Sequence, residues 1–231
     1  MSEDYSRWTA DGLPLAVEYS KAVMQGIRAA VMDGFYKIPH GGIEVGGVLY
    51  GRTDENVVRI EAFRPLVCEY ASGPSFSLSE RDRAALVRML DPAGDEELRG
   101  MVPVGWYHSH TRSELHLSEE DLDIHREFFP NRWQVCLILR PERTKPVRAG
   151  FFVREPDGGL KAESSCQEFR LEAAGRVRGA LFRHASPMEA APAAASAKGS
   201  GSRMWVAVAV AALFVLIGFF TGVVVTLIFW R

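Results

Sequence analysis

Cysteine is scarce in this chain: Cys68, Cys136 and Cys166 are the whole supply among 231 residues, and they stand far apart. No C-x-x-C pair exists, so a cysteine zinc ribbon is excluded, and an odd, dispersed set offers no disulfide framework. Cys136 lies in the apolar run Val135 to Leu139 and reads as a small buried hydrophobe. A reducing compartment fits this usage. Neither sign of charge dominates, with 27 basic against 29 acidic residues and a formal net charge of -2. That balance gives no reason to expect a nucleic-acid partner. Met1 to Gly12 carries Glu3, Asp4 and Asp11 and lacks the basic start and apolar core of a secretory leader, so none is expected. Internal repeats are absent too.

What is present begins at the far end. From Met204 to Trp230 there is no charged residue. As a helix at about 1.5 Å per residue the run reaches roughly 40 Å, enough to cross a ~30 Å hydrocarbon layer with tilt. Trp205 and Trp230 stand near its ends, where amphipathic rings favour the headgroup level. The expectation is one transmembrane helix over 204–230. Arg170, Arg176, Arg178, Arg183, Lys198 and Arg203 precede it against Glu172 and Glu189, while Arg231 alone follows. The positive-inside bias then puts the globular part on the cytoplasmic side of a single-pass membrane protein. Gly218 and Gly222 form a G-x-x-x-G, a pattern that serves as a homodimer seam in some spans. Residues 185–203, rich in Ala, Pro, Ser and Gly, read as a flexible tether. This leaves 1–14 as an N-terminal extension and 15–184 as one folded domain, large enough to bury a core with 47% apolar residues in the chain.

Inside that domain short apolar runs alternate with helical patterns. Leu15 to Val17, Val45 to Tyr50, Val57 to Phe63, Met101 to Tyr107, Val135 to Leu139, Val147 to Val153 and Leu160 to Phe169 read as strands, with a turn at Gly51 to Asn56. Val23, Ile27, Ala30 and Val31 share a face of a helix over about Ser20 to Gly34. Ser77 with Glu80 reads as a capping box opening a second helix that runs to about Leu90. Ser118 opens a third that stops before Pro130. The fold class predicted is α/β: one mixed sheet flanked by roughly three helices.

The chemistry concentrates at Gly105-Trp106-Tyr107-His108-Ser109-His110, where the fourth of these strands ends. Residues two apart in an extended chain point the same way, about 6.6 Å apart along the strand. His108 and His110 can therefore reach one ion between them, at the ~2.0–2.1 Å usual for zinc to imidazole nitrogen. Asp121 falls in the first turn of the helix that Ser118 caps, where the partial positive charge keeps a carboxylate ionised. Two histidines and a carboxylate leave a fourth position for water, the arrangement of a catalytic zinc. An H-x-H pair by itself is compatible with two solvated histidines, and Asp121 by itself with an ordinary helix-start acid; the joint spacing is what carries weight. His116, in the loop between ligands, is a candidate for lining a substrate groove. His125, one turn past Asp121, is a candidate for supporting a ligand from behind, and both histidines also read as solvated or packed. Trp106 and Tyr107 read as packing.

With seven residues between His110 and Ser118, and two more before Asp121, the segment resembles the JAMM (MPN-plus) motif of a zinc peptidase family, position for position. The motif's upstream glutamate is matched by Glu44 in Gly42-Ile43-Glu44-Val45-Gly46-Gly47, and the resemblance extends over about Leu15 to Val153. It implies a cytidine-deaminase-like MPN fold and a single zinc ion held by His108, His110 and Asp121. It also implies that Glu44 acts as acid and base toward the attacking water, with the Ser118 hydroxyl stabilising the oxyanion; capping uses the same hydroxyl. The reaction implied is hydrolysis of peptide or isopeptide bonds, at the C-terminus of ubiquitin-like or sulfur-carrier-like proteins. Two alternatives remain: a non-catalytic MPN scaffold, and a zinc hydrolase of non-peptide amides.

Overall fold

The computed structural model describes residues 4–39, 41–69, 77–165 and 167–173. They form one eight-stranded sheet and three α-helices, as the mixed α/β reading expects. The strands are β1 Tyr5–Trp8, β2 Ala16–Ser20, β3 Gly46–Asp54, β4 Val57–Leu66, β5 Val102–Ser109, β6 Val135–Arg140, β7 Val147–Phe152 and β8 Glu168–Leu171. The helices are α1 Lys21–Lys37, α2 Glu80–Met89 and α3 Glu119–Phe128. Strand order is β1-β2-β4-β3-β5-β6-β7-β8, with β2/β4 and β5/β6 parallel and the other neighbours antiparallel.

Alternation along the strands splits the core into two layers. In β6, Val135, Leu137 and Leu139 join the cluster under Met24, Ile27 and Val31 of α1. Cys136 and Ile138 face the other way, with Leu86 of α2 and Leu122, Ile124 and Phe128 of α3. Period two in the strands and period 3.6 in the helices thus meet on both faces. The sheet also curls until its edges approach. Trp8 Nε1 on β1 donates to the Gln167 carbonyl at 2.8 Å, just before β8. Trp8, Tyr19, Phe151 and Phe169 pack together between the edges with neighbouring ring centroids 5.4–5.9 Å apart. Residues 5–8, placed by the sequence in an N-terminal extension, are therefore an edge strand, and Trp8 is buried.

Three local expectations are corrected. The α2 capping box is Ser79 with Asp82, not Ser77 with Glu80. Two S-x-x-acid frames overlap there, and Asp82 prevails because it is buried, accepting from the backbone N–H groups of both Ser79 and Glu69. The β3–β4 turn is confined to Glu55-Asn56, since pairing continues through Asp54 and Val57. Leu160 to Phe169 is not a strand. Leu160 makes one bridge with Arg154, and Ser165 then turns its hydroxyl onto the Phe151 carbonyl at 2.9 Å, before pairing resumes in β8.

The tether 185–203, the apolar run 204–230 and the Gly218/Gly222 pair lie outside the described residues. Among the described residues, no helix is long and apolar enough to cross a membrane.

Candidate metal centre

β5, α3 and β6 make a strand–helix–parallel strand crossover, and the site sits where such units place ligands, at the carboxyl end of the strand. Gly105 permits it. A Cβ there would lie 2.0 Å from the Val135 carbonyl oxygen, so only glycine lets β5 and β6 begin their pairing this closely. Beyond it Trp106 and His108 face the α2/α3 side. On the opposite face the Ser109 hydroxyl accepts from the Val45 backbone N–H at 2.9 Å.

Glu44 arrives from the other direction. After α1 the chain folds back, with Ile43 N–H donating to the Gly34 carbonyl at 2.9 Å. Gly42 makes this return at φ +66, where an added Cβ would lie 2.4 Å from the Phe35 carbonyl oxygen. Glu44 follows, and the Thr111 N–H donates to its Oε1 at 3.0 Å. Its Oε2 is 3.6 Å from His108 Nε2, an ion-pair separation too long for a good hydrogen bond.

Ser118 caps α3, accepting from the Asp121 N–H at 3.1 Å. Asp121 answers at the cap: its Oδ2 accepts from the Ser118 N–H at 2.9 Å and the Ser118 hydroxyl at 2.8 Å. The same carboxylate touches both histidines, Oδ1 at 2.8 Å from His108 Nδ1 and Oδ2 at 3.1 Å from His110 Nε2. His110 Nδ1 meets the Glu114 carbonyl at 3.1 Å, which fixes that ring from behind. One ligand atom from each of His108, His110 and Asp121 can be chosen so that all lie within 4.8 Å of one another, and all three side chains are buried.

Four ionisable side chains, Glu44, His108, His110 and Asp121, are crowded together in the interior. Burial pushes the His108 imidazole down, but the Asp121 and Glu44 carboxylates together more than offset it, and the pKa rises to about 9. Burial raises Asp121, and the two imidazoles outweigh it, leaving the acid well below its usual range. Glu44 is likewise lifted by burial and lowered on balance by His108 and the Thr111 amide. Such a buried cluster suits a divalent cation, which would meet two nitrogens and one carboxylate oxygen, a borderline-soft donor set of the kind zinc takes. The residues present fit a metal.

The structure thus brings Glu44, His108, His110, Ser118 and Asp121 to one place. Sequence reasoning missed three parts of it: the Thr111 amide, the Ser109 hydroxyl and the Glu114 carbonyl. Two of these are backbone groups with no signature in residue type, and Ser109 was visible only as the middle of His-Ser-His. His116 stacks edge-on against His110 at 5.2 Å, with its Nδ1 on the Glu114 carbonyl.

His125 makes no polar contact with His108, His110 or Asp121; its Nδ1 accepts from the Trp106 indole N–H at 3.2 Å. Burial, then the Arg154 charge, lower its pKa to about 3. The folded protein therefore refuses a proton that the unfolded chain takes up below about pH 6.5, and stability is lost as pH falls through that value. In metal-free protein, urea unfolding at pH 6.5 and pH 5.0 is expected to differ by about 2 kcal/mol more in the wild type than in His125→Gln. His108, held protonated in the fold, gains its proton on the unfolded chain in the same window, but it does so equally in both proteins, and its slope cancels in the comparison. Equal pH slopes in the two proteins would contradict the assignment.

The family model described as JAB1/Mov34/MPN/PAD-1 ubiquitin protease matches residues 20–129. No curated protein matches the chain. Among solved structures, a solution structure of a protein from Desulfitobacterium hafniense is 24% identical, covering 64% of this chain and 89% of its own, with TM-score 0.44. A second, of a protein from Salinibacter ruber, is 20% identical, covering 72% of this chain and 95% of its own, with TM-score 0.37.

Proposed function

We propose, on the match of residues 20–129 to the JAB1/Mov34/MPN/PAD-1 family model, that this chain is a zinc-dependent hydrolase of peptide or isopeptide bonds. The observation that carries the proposal is the convergence of His108, His110 and Asp121 with a separate carboxylate, Glu44, alongside. A zinc ion bound by the three would lower the pKa of water toward about 7 and polarise a carbonyl oxygen. Glu44 does the proton work. Thr111 holds its Oε1, while Oε2 faces the cluster and takes a proton from the attacking water, later returning it to the departing amine nitrogen. Ser118 holds Asp121 in place through the cap, and its hydroxyl, which donates to Asp121 Oδ2 in the free protein, is the side-chain donor proposed to turn to an oxyanion.

A scaffold without chemistry would not require Glu44 to be buried and ionised beside two histidines, and that favours catalysis over an assembly role. The substrate proposed is the C-terminal tail of a ubiquitin-like or sulfur-carrier-like protein. We further propose that 204–230 anchors the chain as a single membrane span, that Gly218 and Gly222 offer a pairing seam, and that 185–203 tethers the domain on the cytoplasmic side. That confinement raises its effective concentration near membrane-bound substrates.

The test uses the detergent-solubilised chain and fusions in which a ubiquitin-like protein precedes a short peptide. Zinc-loaded protein is expected to release the peptide at the fusion junction, and a chelator to stop it. No cleavage of any fusion, together with cleavage of a small acylated amine, would move the reading to a non-peptide amide hydrolase. Bound zinc with neither activity would leave a scaffold.

A further inference from the structure

β5 and α3 are joined by two rungs, and only one of them consists of metal ligands. The first is His108 Nδ1 to Asp121 Oδ1 at 2.8 Å; the second is Trp106 Nε1 to His125 Nδ1 at 3.2 Å. Trp106 and His108 are two residues apart on the strand, about 6.6 Å, and Asp121 and His125 are four apart on the helix, about 6 Å. The periods match, so the rungs lie side by side. All four side chains are buried, at 3% exposure or less. Trp106 also lies nearly parallel to the His108 imidazole, 14° between planes and 6.1 Å between centroids, and Phe129 continues the stack beyond it.

We propose that Trp106 and His125 are positioning residues for the metal centre: their hydrogen bond sets the spacing between β5 and α3 and the plane of the His108 ring. The proposal rests on the reading of His108, His110 and Asp121 as ligands. The indole N–H can only donate, so His125 Nδ1 must accept, and the imidazole is the neutral form with its proton on Nε2. This Nε2 is buried and meets no hydrogen-bond partner among the described residues. An interior donor left in that state opposes folding, and an apolar side chain would fill the same place at lower cost. A histidine there makes sense for what Nδ1 does, which is to hold a tryptophan against a ligand. Burial keeps that nitrogen an acceptor at every pH at which the protein would work, since protonation would turn it into a second donor facing the indole N–H. Both side chains of the first rung would be drawn on by a bound metal, whereas neither side chain of the second would.

Zinc affinity of the full chain, by competition with a chromophoric chelator, and the visible spectrum of the cobalt-substituted protein read out ligand geometry independently of turnover. Trp106→Phe, which keeps a stacking ring and removes the N–H, and His125→Leu are each expected to weaken zinc binding by ~10–100-fold and to shift the cobalt bands. His125→Gln, which restores an acceptor, should return affinity to within roughly threefold of wild type. The double variant Trp106→Phe/His125→Leu should bind no worse than the weaker single variant, because one bond is lost in each case. Ile124→Val trims the same helix's packing elsewhere and should lower thermal stability with zinc affinity unchanged. Wild-type zinc binding with Trp106→Phe and His125→Leu unaffected would overturn the clamp alone, as would an equal loss in Ile124→Val. A wild type that binds no zinc would overturn the metal centre and the clamp together. Should His125→Leu fail to fold, Trp106→Phe decides.

Discussion

Glu44→Gln is expected to keep about one zinc per chain while hydrolysing substrate ~10²–10⁴-fold more slowly, the range a positioned general base contributes. The substitution is close to isosteric. Its amide oxygen can still accept the Thr111 N–H that holds Glu44 Oε1, so the loop carrying His110 should stay in place. What disappears is basicity: the amide cannot take a proton from water. Glu44 is also not one of the three groups that offer ligand atoms within 4.8 Å of one another, so metal content should not follow the rate down. Metal analysis beside single-turnover cleavage separates the two quantities. Equal rates for variant and wild type would remove Glu44 from the mechanism.

The second large effect is expected from His108→Ala. Removing one of the three proposed ligands should drop bound zinc from about one per chain to none at micromolar free metal, and cleavage with it. The same loss should be visible in stability. A ligand present at a thousand times its dissociation constant stabilises the folded state by about 4 kcal/mol, so added zinc should raise the wild-type melting temperature and leave that of His108→Ala where it was. The variant should also be weaker than the wild type without metal. It removes the Asp121 partner whose charge most strongly holds that buried acid ionised, and a buried carboxylate short of partners destabilises the fold. A zinc-dependent melting shift in His108→Ala equal to that of the wild type would exclude His108 as a ligand.

The spacing of the centre was legible because it is written in the side chains themselves. His108 and His110 share a strand face, and Ser118 and Asp121 share a cap, whatever the rest of the chain does. Glu44 needed the family resemblance, since 64 residues separate it from His108 and no local period links them. The strands and helices followed from period and caps, with errors where tertiary contacts decided between equal local choices. Ser77-x-x-Glu80 and Ser79-x-x-Asp82 are equivalent as text, and the Glu69 amide beside Asp82 settles the frame. Tyr5–Trp8 was read as an extension because four residues between polar neighbours carry too little pattern; what makes them a strand is Trp8 reaching a carbonyl 159 residues away. The Trp106–His125 contact was invisible for a related reason. Trp106 alone reads as packing and His125 as packing or as a support behind a ligand, and only the match between strand and helix periods brings them together.

Because the sheet's first and last strands meet through Trp8, cutting the chain at Leu15 to make a minimal fragment would do more than trim a tail. It would strip β2 of its neighbour and bare the rings of Tyr19, Phe151 and Phe169, creating a sticky border able to pair with other molecules. Fragments intended for biochemistry should therefore start upstream of Tyr5 and extend past Leu171, whose carbonyl accepts from Arg28 on α1.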